Sequence, residues 1–131
     1  MGRKYLDELG VDYEYLTRQE KSERGFRWEN QKKEYGFDER ETWGLDFTFY
    51  CWLYERLSKY LEVADPVVDL NYHKFTFKDK EYTQKQMIEM MLNRLVFYFQ
   101  HNMDYDLKES DYDYVMEIPQ IWAIVLPHMW W

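Results

Sequence analysis

The run from Asp38 to Leu61, DERETWGLDFTFYCWLYERLSKYL, constrains the fold more than any other stretch of the chain. Asp38 followed three residues later by Glu41 matches a capping box, and Thr42 offers a second N-cap. Gly44 is worth ~1 kcal/mol less than Ala inside a helix, so a tight entry turn is expected there. A regular helix should then run from about Leu45 to Leu61. Trp43, Phe47, Tyr50, Leu53 or Tyr54, Leu57 and Leu61 fall at i, i+3, i+4 spacing and form one face. Phe49, Trp52 and Arg56 form a second stripe. A helix apolar over more than half its circumference is expected to be central and covered on several sides.

The surrounding elements are expected to be mostly helical too. Tyr5, Leu6 and Leu9 have helical spacing that Gly10 interrupts, so a short helix should end there, with Tyr13, Tyr15 and Leu16 packing back. Residues 17–36 are dense in both charges, and Gly25 and Gly36 bracket Phe26, Trp28 and Tyr35. A solvated helix and an ordered loop both fit this peripheral or mobile segment. After Pro66, Phe75 and Phe77 alternate around Thr76 and Lys78-Asp79-Lys80 reads as a turn, predicting a small hairpin near 72–82. Thr83 and Gln86 form a second capping box ahead of a helix over about Gln84 to Gln100. Its face carries Met87, Ile88, Met91, Leu92, Leu95, Val96 and Phe99, with the methionines reading as core filler. A last helix, capped by Ser110 and bent or restarted at Pro119, should carry Ile121, Trp122, Val125, Leu126 and Met129. The fold class is therefore mainly α: a single-domain bundle of three to four helices with a minor β-hairpin.

Composition narrows the function. The chain has 131 residues, a length that fits one domain spanning 1–131. Its aromatic share of 21% supplies large, rigid contact surfaces for a core or a binding site. A net charge of -8 opposes direct binding to nucleic acid or anionic membranes, and permits a partner with a basic groove. The single Cys51 allows no internal disulfide and reads as a buried small hydrophobe. MGRKYLDELG lacks an apolar signal core, and no apolar run approaches the ~20 residues of a membrane span, so a soluble cytoplasmic protein is expected.

Most catalytic signatures are absent. The sequence holds no phosphate-cradling glycine motif and no nucleophile elbow, and His73, His101 and His128 lie too far apart in sequence to suggest zinc. No metal or cofactor is expected. Glu41, Asp46 and Glu55 are carboxylates available for acid–base work, but their spacing fits no enzyme motif. Trp43, Asp46 and Tyr50 sit at i, i+3 and i+7 on one side of the helix. A carboxylate there either accepts from a backbone N–H, a tyrosine or an arginine and locks the core, or it opens on a pocket. In the pocket reading Trp43 stacks a planar ligand, Asp46 accepts from its N–H edge and Arg40 meets a negative group, with Glu41, Thr42 and Tyr50 completing the site. Two further surfaces stand out. Asp104, Asp106, Asp111 and Asp113, interleaved with tyrosines, form either a solvated loop or an acidic face toward a basic partner. Trp130 and Trp131 at the end of the chain should dock on the domain or at a subunit interface.

The motif F-D-E-R-E-T-W-G-L-D-F-T resembles a group of small phage and prophage proteins with a pattern like G-[FY]-x-x-x-D-T-W-x-[LF]-D ahead of a helix. The likeness covers Tyr35 to about Leu61, and loosely Ile121 to Trp131; Glu41 replaces the usual aspartate. It singles out Glu41, Thr42, Trp43, Leu45 and Asp46, implies a phage origin and names no reaction. The expectation is a non-catalytic accessory protein acting in the host bacterial cytoplasm. It would inhibit antiviral immunity by sequestering a small nucleotide signal or occupying a defence protein. The alternatives are an acidic DNA mimic that blocks a CRISPR-type nuclease, and a structural or replication accessory acting through an aromatic homo-oligomer interface.

Overall fold

The computed structural model describes residues 2–101 and 107–130. The chain divides into two compact units, Met1–Leu53 and Tyr54–Trp131. Six α-helices and one two-stranded hairpin appear among the described residues, so the mainly-α class holds while the helix count exceeds the three or four expected.

The first unit begins with α1 (Lys4–Leu9) and α2 (Glu14–Thr17). Gly10 takes the left-handed conformation (φ 77°) that ends α1, as the sequence predicts, and Val11 N–H returns to the Leu6 carbonyl. Tyr13 Oη then ties the following segment back, donating to Asp7 Oδ1 at 2.6 Å and accepting from Arg3 N–H at 3.0 Å. Residues 17–36, left open by the sequence, contain α3 (Glu23–Tyr35). Ser22 Oγ caps it by accepting from Gly25 N–H, and Gly36 (φ 84°) closes it. One apolar side chain, Trp28, is buried on this helix; the rest is charge and solvent, which is why periodicity does not reveal it.

Asp38 does open the next element, but that element is a 3-10 turn, Glu39–Thr42, and not a first α-helical turn. Thr42 is no N-cap: its hydroxyl donates backwards to the Glu39 carbonyl at 2.6 Å. Helix α4 (Leu45–Ala64) starts where Gly44 predicts and runs one turn beyond Leu61. Tyr50, Cys51, Leu53 and Leu57 are buried along it. The expectation of a helix covered on several sides fails at its first half. Leu45, Phe49 and Trp52 are exposed, and Phe49 and Trp52 stack on each other with centroids 6.1 Å apart.

In the second unit, β1 (Lys74–Phe77) and β2 (Lys80–Thr83) pair antiparallel, Phe75 opposite Tyr82. Lys78 and Asp79 both have positive φ, 50° and 66°, the signature of a two-residue hairpin turn whose twist matches the strands. The second capping box is complete: Thr83 N–H donates to Gln86 Oε1 and Gln86 N–H donates to Thr83 Oγ1. Helix α5 (Gln84–His101) follows, burying Met87, Ile88, Met91 and Leu95, so two of the three clustered methionines are core. It packs on α6 (Glu109–Val125), which buries Ile118, Ile121 and Val125. Lys108, and not Ser110, stands at the N-cap of α6. The helix also continues through Pro119 without restarting; the proline removes one donor, a cost that the buried face on either side offsets.

Candidate functional site

Arg40 organises the first unit. It is 1% exposed, and so is Asp38, two residues away on the other side of the turn. The turn geometry brings the carboxylate back over its own chain. Asp38 Oδ1 accepts from Arg40 N–H at 2.9 Å and Nε at 3.0 Å, and Oδ2 accepts from Nη2 at 2.9 Å. The remaining guanidinium nitrogen, Nη1, donates to the backbone carbonyls of Tyr15 and Arg18. The guanidinium carbon lies 4.1 Å from the centre of the Trp28 ring, with Arg24 5.1 Å from the same ring. α2, the loop to α3, α3 and the 3-10 turn are thereby joined through one side chain.

Electrostatics follows from that geometry. Burial alone would raise the Asp38 carboxyl; the hydrogen bonds and charge of Arg40, with Lys32 3.7 Å away, outweigh it and hold the group below its ordinary value. Glu39 is lowered by hydrogen bonds from Arg27 and then Gln31. Glu20 falls to about 2 because Arg24 and Ser22 both donate to it.

Beside this core opens a cleft of 510 Å³. Four cations line it, Arg18, Lys21, Lys32 and Arg40, together with the rings of Phe26 and Trp28. Two carboxylates, Glu20 and Glu29, share the lining, so the cleft is locally basic in a chain of net charge -8. Trp28 is 2% exposed, and among the described residues its indole Nε1 has no hydrogen-bond acceptor. A buried N–H without a partner is uncommon and costs stability unless an acceptor reaches it. Trp28 and Phe26 are the residues the sequence reading undervalued. Their irregular spacing hid them, and the only available signal was an apolar pair in an otherwise charged helix.

The residues singled out beforehand are only partly together. Arg40 was expected to meet a negative group of a ligand; its guanidinium instead engages Asp38 and two carbonyls. Trp43 is 55% exposed, 6.4 Å from Tyr15 in a near-parallel stack and edge-on to Trp28 at 6.0 Å. Asp46 is exposed, so the requirement that a core carboxylate be satisfied does not arise, whereas Tyr50 is buried. Glu41 is half-buried, and its carbonyl accepts from the Thr48 hydroxyl at 2.9 Å. A Cβ placed on Gly44 would sit 3.8 Å from both Asp46 Oδ1 and Tyr15 Oη, ordinary contact distances. Gly44→Ala should therefore stabilise the chain by about 0.4–1 kcal/mol, read as a rise in thermal midpoint.

Of the acidic surface, Asp111 is half-buried and Asp113 exposed on the first turns of α6; Asp104 and Asp106 lie outside the described residues. Trp130 is 78% exposed, not docked on the domain, and Trp131 lies outside the described residues. Glu55, one of the carboxylates available for acid–base work, lies 3.5 Å from the Arg56 guanidinium. Among the described residues no three His, Cys, Asp or Glu side chains are grouped to hold a metal ion, and no helix is long and apolar enough to cross a membrane.

Comparison with known proteins adds no relative. No family model, curated protein or solved structure matches the chain.

Proposed function

We propose that this is a non-catalytic phage accessory protein that counters bacterial immunity by sequestering a small anionic nucleotide in the cleft beside Arg40. The phage part of this reading rests on the likeness of the Phe37–Thr48 motif; the immunity part rests on the rigid aromatic content and on a sequence without a catalytic signature. The ligand class rests on one observation: exposed Arg18, Lys21 and Lys32 outnumber Glu20 and Glu29 in a single cleft that also presents the exposed ring of Phe26. Cations fit phosphate oxygens, and the exposed ring of Phe26 fits a base by stacking. The buried Asp38–Arg40 pair serves as scaffold, so the ligand-facing charge falls to exposed Arg18, Lys21 and Lys32. The site thus moves from residues 40–50 to the segment from Arg18 to Lys32.

Calorimetric titration of a panel of mononucleotides and cyclic oligonucleotides provides the test. At least one member should bind saturably, and Arg18→Glu with Lys21→Glu should weaken it by about tenfold or more, while the melting temperature stays within a few degrees. Binding by no member, or equal binding by the charge-reversed variant, removes the sequestration reading.

A further inference from the structure

A second recess, of 290 Å³, lies in the other unit and has the opposite character. Among the described residues its lining carries five rings, Tyr60, Tyr72, His73, His128 and Trp130, one carboxylate, Asp69, and no lysine or arginine. The rings are set as walls and not as a stack. Tyr72 stands edge-on to His73 at 5.1 Å with an 86° angle, and His73 is tilted 42° to His128 at 6.1 Å. Phe75, from the hairpin, braces His128 from 5.0 Å. Gln84 fixes the base of the recess: it is buried at the first position of α5, and its Nε2 donates to Tyr60 Oη and to the His128 carbonyl, both at 3.3 Å. Asp69 is held in place by a turn in which its Oδ1 accepts from Asn71 N–H at 2.9 Å, leaving its second oxygen outside that bond.

Ring faces carry negative electrostatic potential, and several of them around one carboxylate favour a cation that sheds its water cheaply. Ammonium and metal ions hold water too strongly for such walls, whereas a methylated ammonium presents a diffuse charge on an apolar surface. We propose that this recess binds a methylated ammonium group. The same chemistry occurs on free choline-like solutes and at the end of a methylated lysine side chain. The open side of the recess, with Tyr72 and Trp130 both largely exposed, admits either.

The probes are tetramethylammonium, choline and Nε-trimethyl-lysine, followed by calorimetry and by amide NMR. Choline should produce saturable shifts confined to residues 68–73, Gln84 and 128–130. Trp130→Ala, at an exposed position, and Asp69→Asn, which keeps the acceptor for Asn71, should each weaken binding by about threefold to tenfold. Tighter binding of trimethyl-lysine than of choline assigns the group to a protein side chain; the reverse order assigns it to a free solute. The proposal is overturned if the neutral carbon isostere of choline, neohexyl alcohol, binds as well as choline. It is equally overturned if the shifts do not saturate, or if both variants bind like the native chain. Loss of nucleotide binding in the first unit leaves these outcomes unaffected, since no residue is shared.

Discussion

Replacing Arg40 with methionine is expected to cost about 3–5 kcal/mol, a large share of the roughly 5–15 kcal/mol that a domain commonly has. The side-chain volume is roughly kept, so the loss comes from what the guanidinium leaves behind. Asp38 would remain a charge at 1% exposure, left with the backbone N–H of residue 40 and with Lys32 3.7 Å away. The Tyr15 and Arg18 carbonyls would lose the donor that links them to the turn. Urea unfolding followed by tryptophan fluorescence measures the effect. The double variant Asp38→Asn/Arg40→Met should lose less than the sum of the two single changes, because the stranded charge is then gone. A single variant within 1 kcal/mol of native, on the order of a surface substitution, would mean that the pair is hydrated and not buried. Acid should reveal the same network. Asp38, Glu39 and Glu20 all have carboxyls lowered in the folded chain, so the unfolded chain takes up protons first as pH falls. Their stabilisation is complete above the ordinary carboxylate range and disappears on descent; for Glu20 the window runs from 4.5 to about 2. A urea midpoint that stays flat across that window would contradict the assignment.

Gly25→Ala is the second large effect. Gly25 has no unusual φ, so conformational freedom is not the reason for a glycine. A Cβ there would overlap the backbone carbonyl of Glu20, which cannot swing aside as a flexible side chain can. The first turn of α3 would have to separate from residues 18–21, at a cost of about 1–3 kcal/mol. Because Arg18, Lys21, Phe26 and Trp28 all line the cleft, the damage should fall there first. Hydrogen exchange reads this directly: the Phe26 amide, which donates to the Ser22 carbonyl at 2.9 Å, should lose protection while the α5 amides keep theirs. Uniform protection in both variants would show that the loop and α3 adjust at no cost.

How far the sequence reveals this molecule depends on which physical signal each element carries. α5 is legible because its capping box and its apolar face agree, and the structure repeats both, down to the reciprocal Thr83–Gln86 bonds. The hairpin is legible from alternation, although Lys78 and Asp79 are not the residues usually chosen for two positive φ angles. α3 is not legible: it buries a single tryptophan, so its helical period is written in solvated charge, which many conformations satisfy equally. The site is harder still. Trp43, Asp46 and Tyr50 share a side on an ideal helix, but which of them is exposed and which buried follows from tertiary packing that spacing does not encode. Gly25 was visible as punctuation, while the steric reason for it is a contact with Glu20 that no local pattern encodes.

The boundary between the two compact units falls at Leu53, inside the 20-residue α4. Separate expression of either unit would therefore divide a helix and not a linker. Each product would keep about half of α4, less than the roughly 12–15 residues an isolated helix needs to persist in water. Gene fusion or exchange at this boundary would meet the same obstacle.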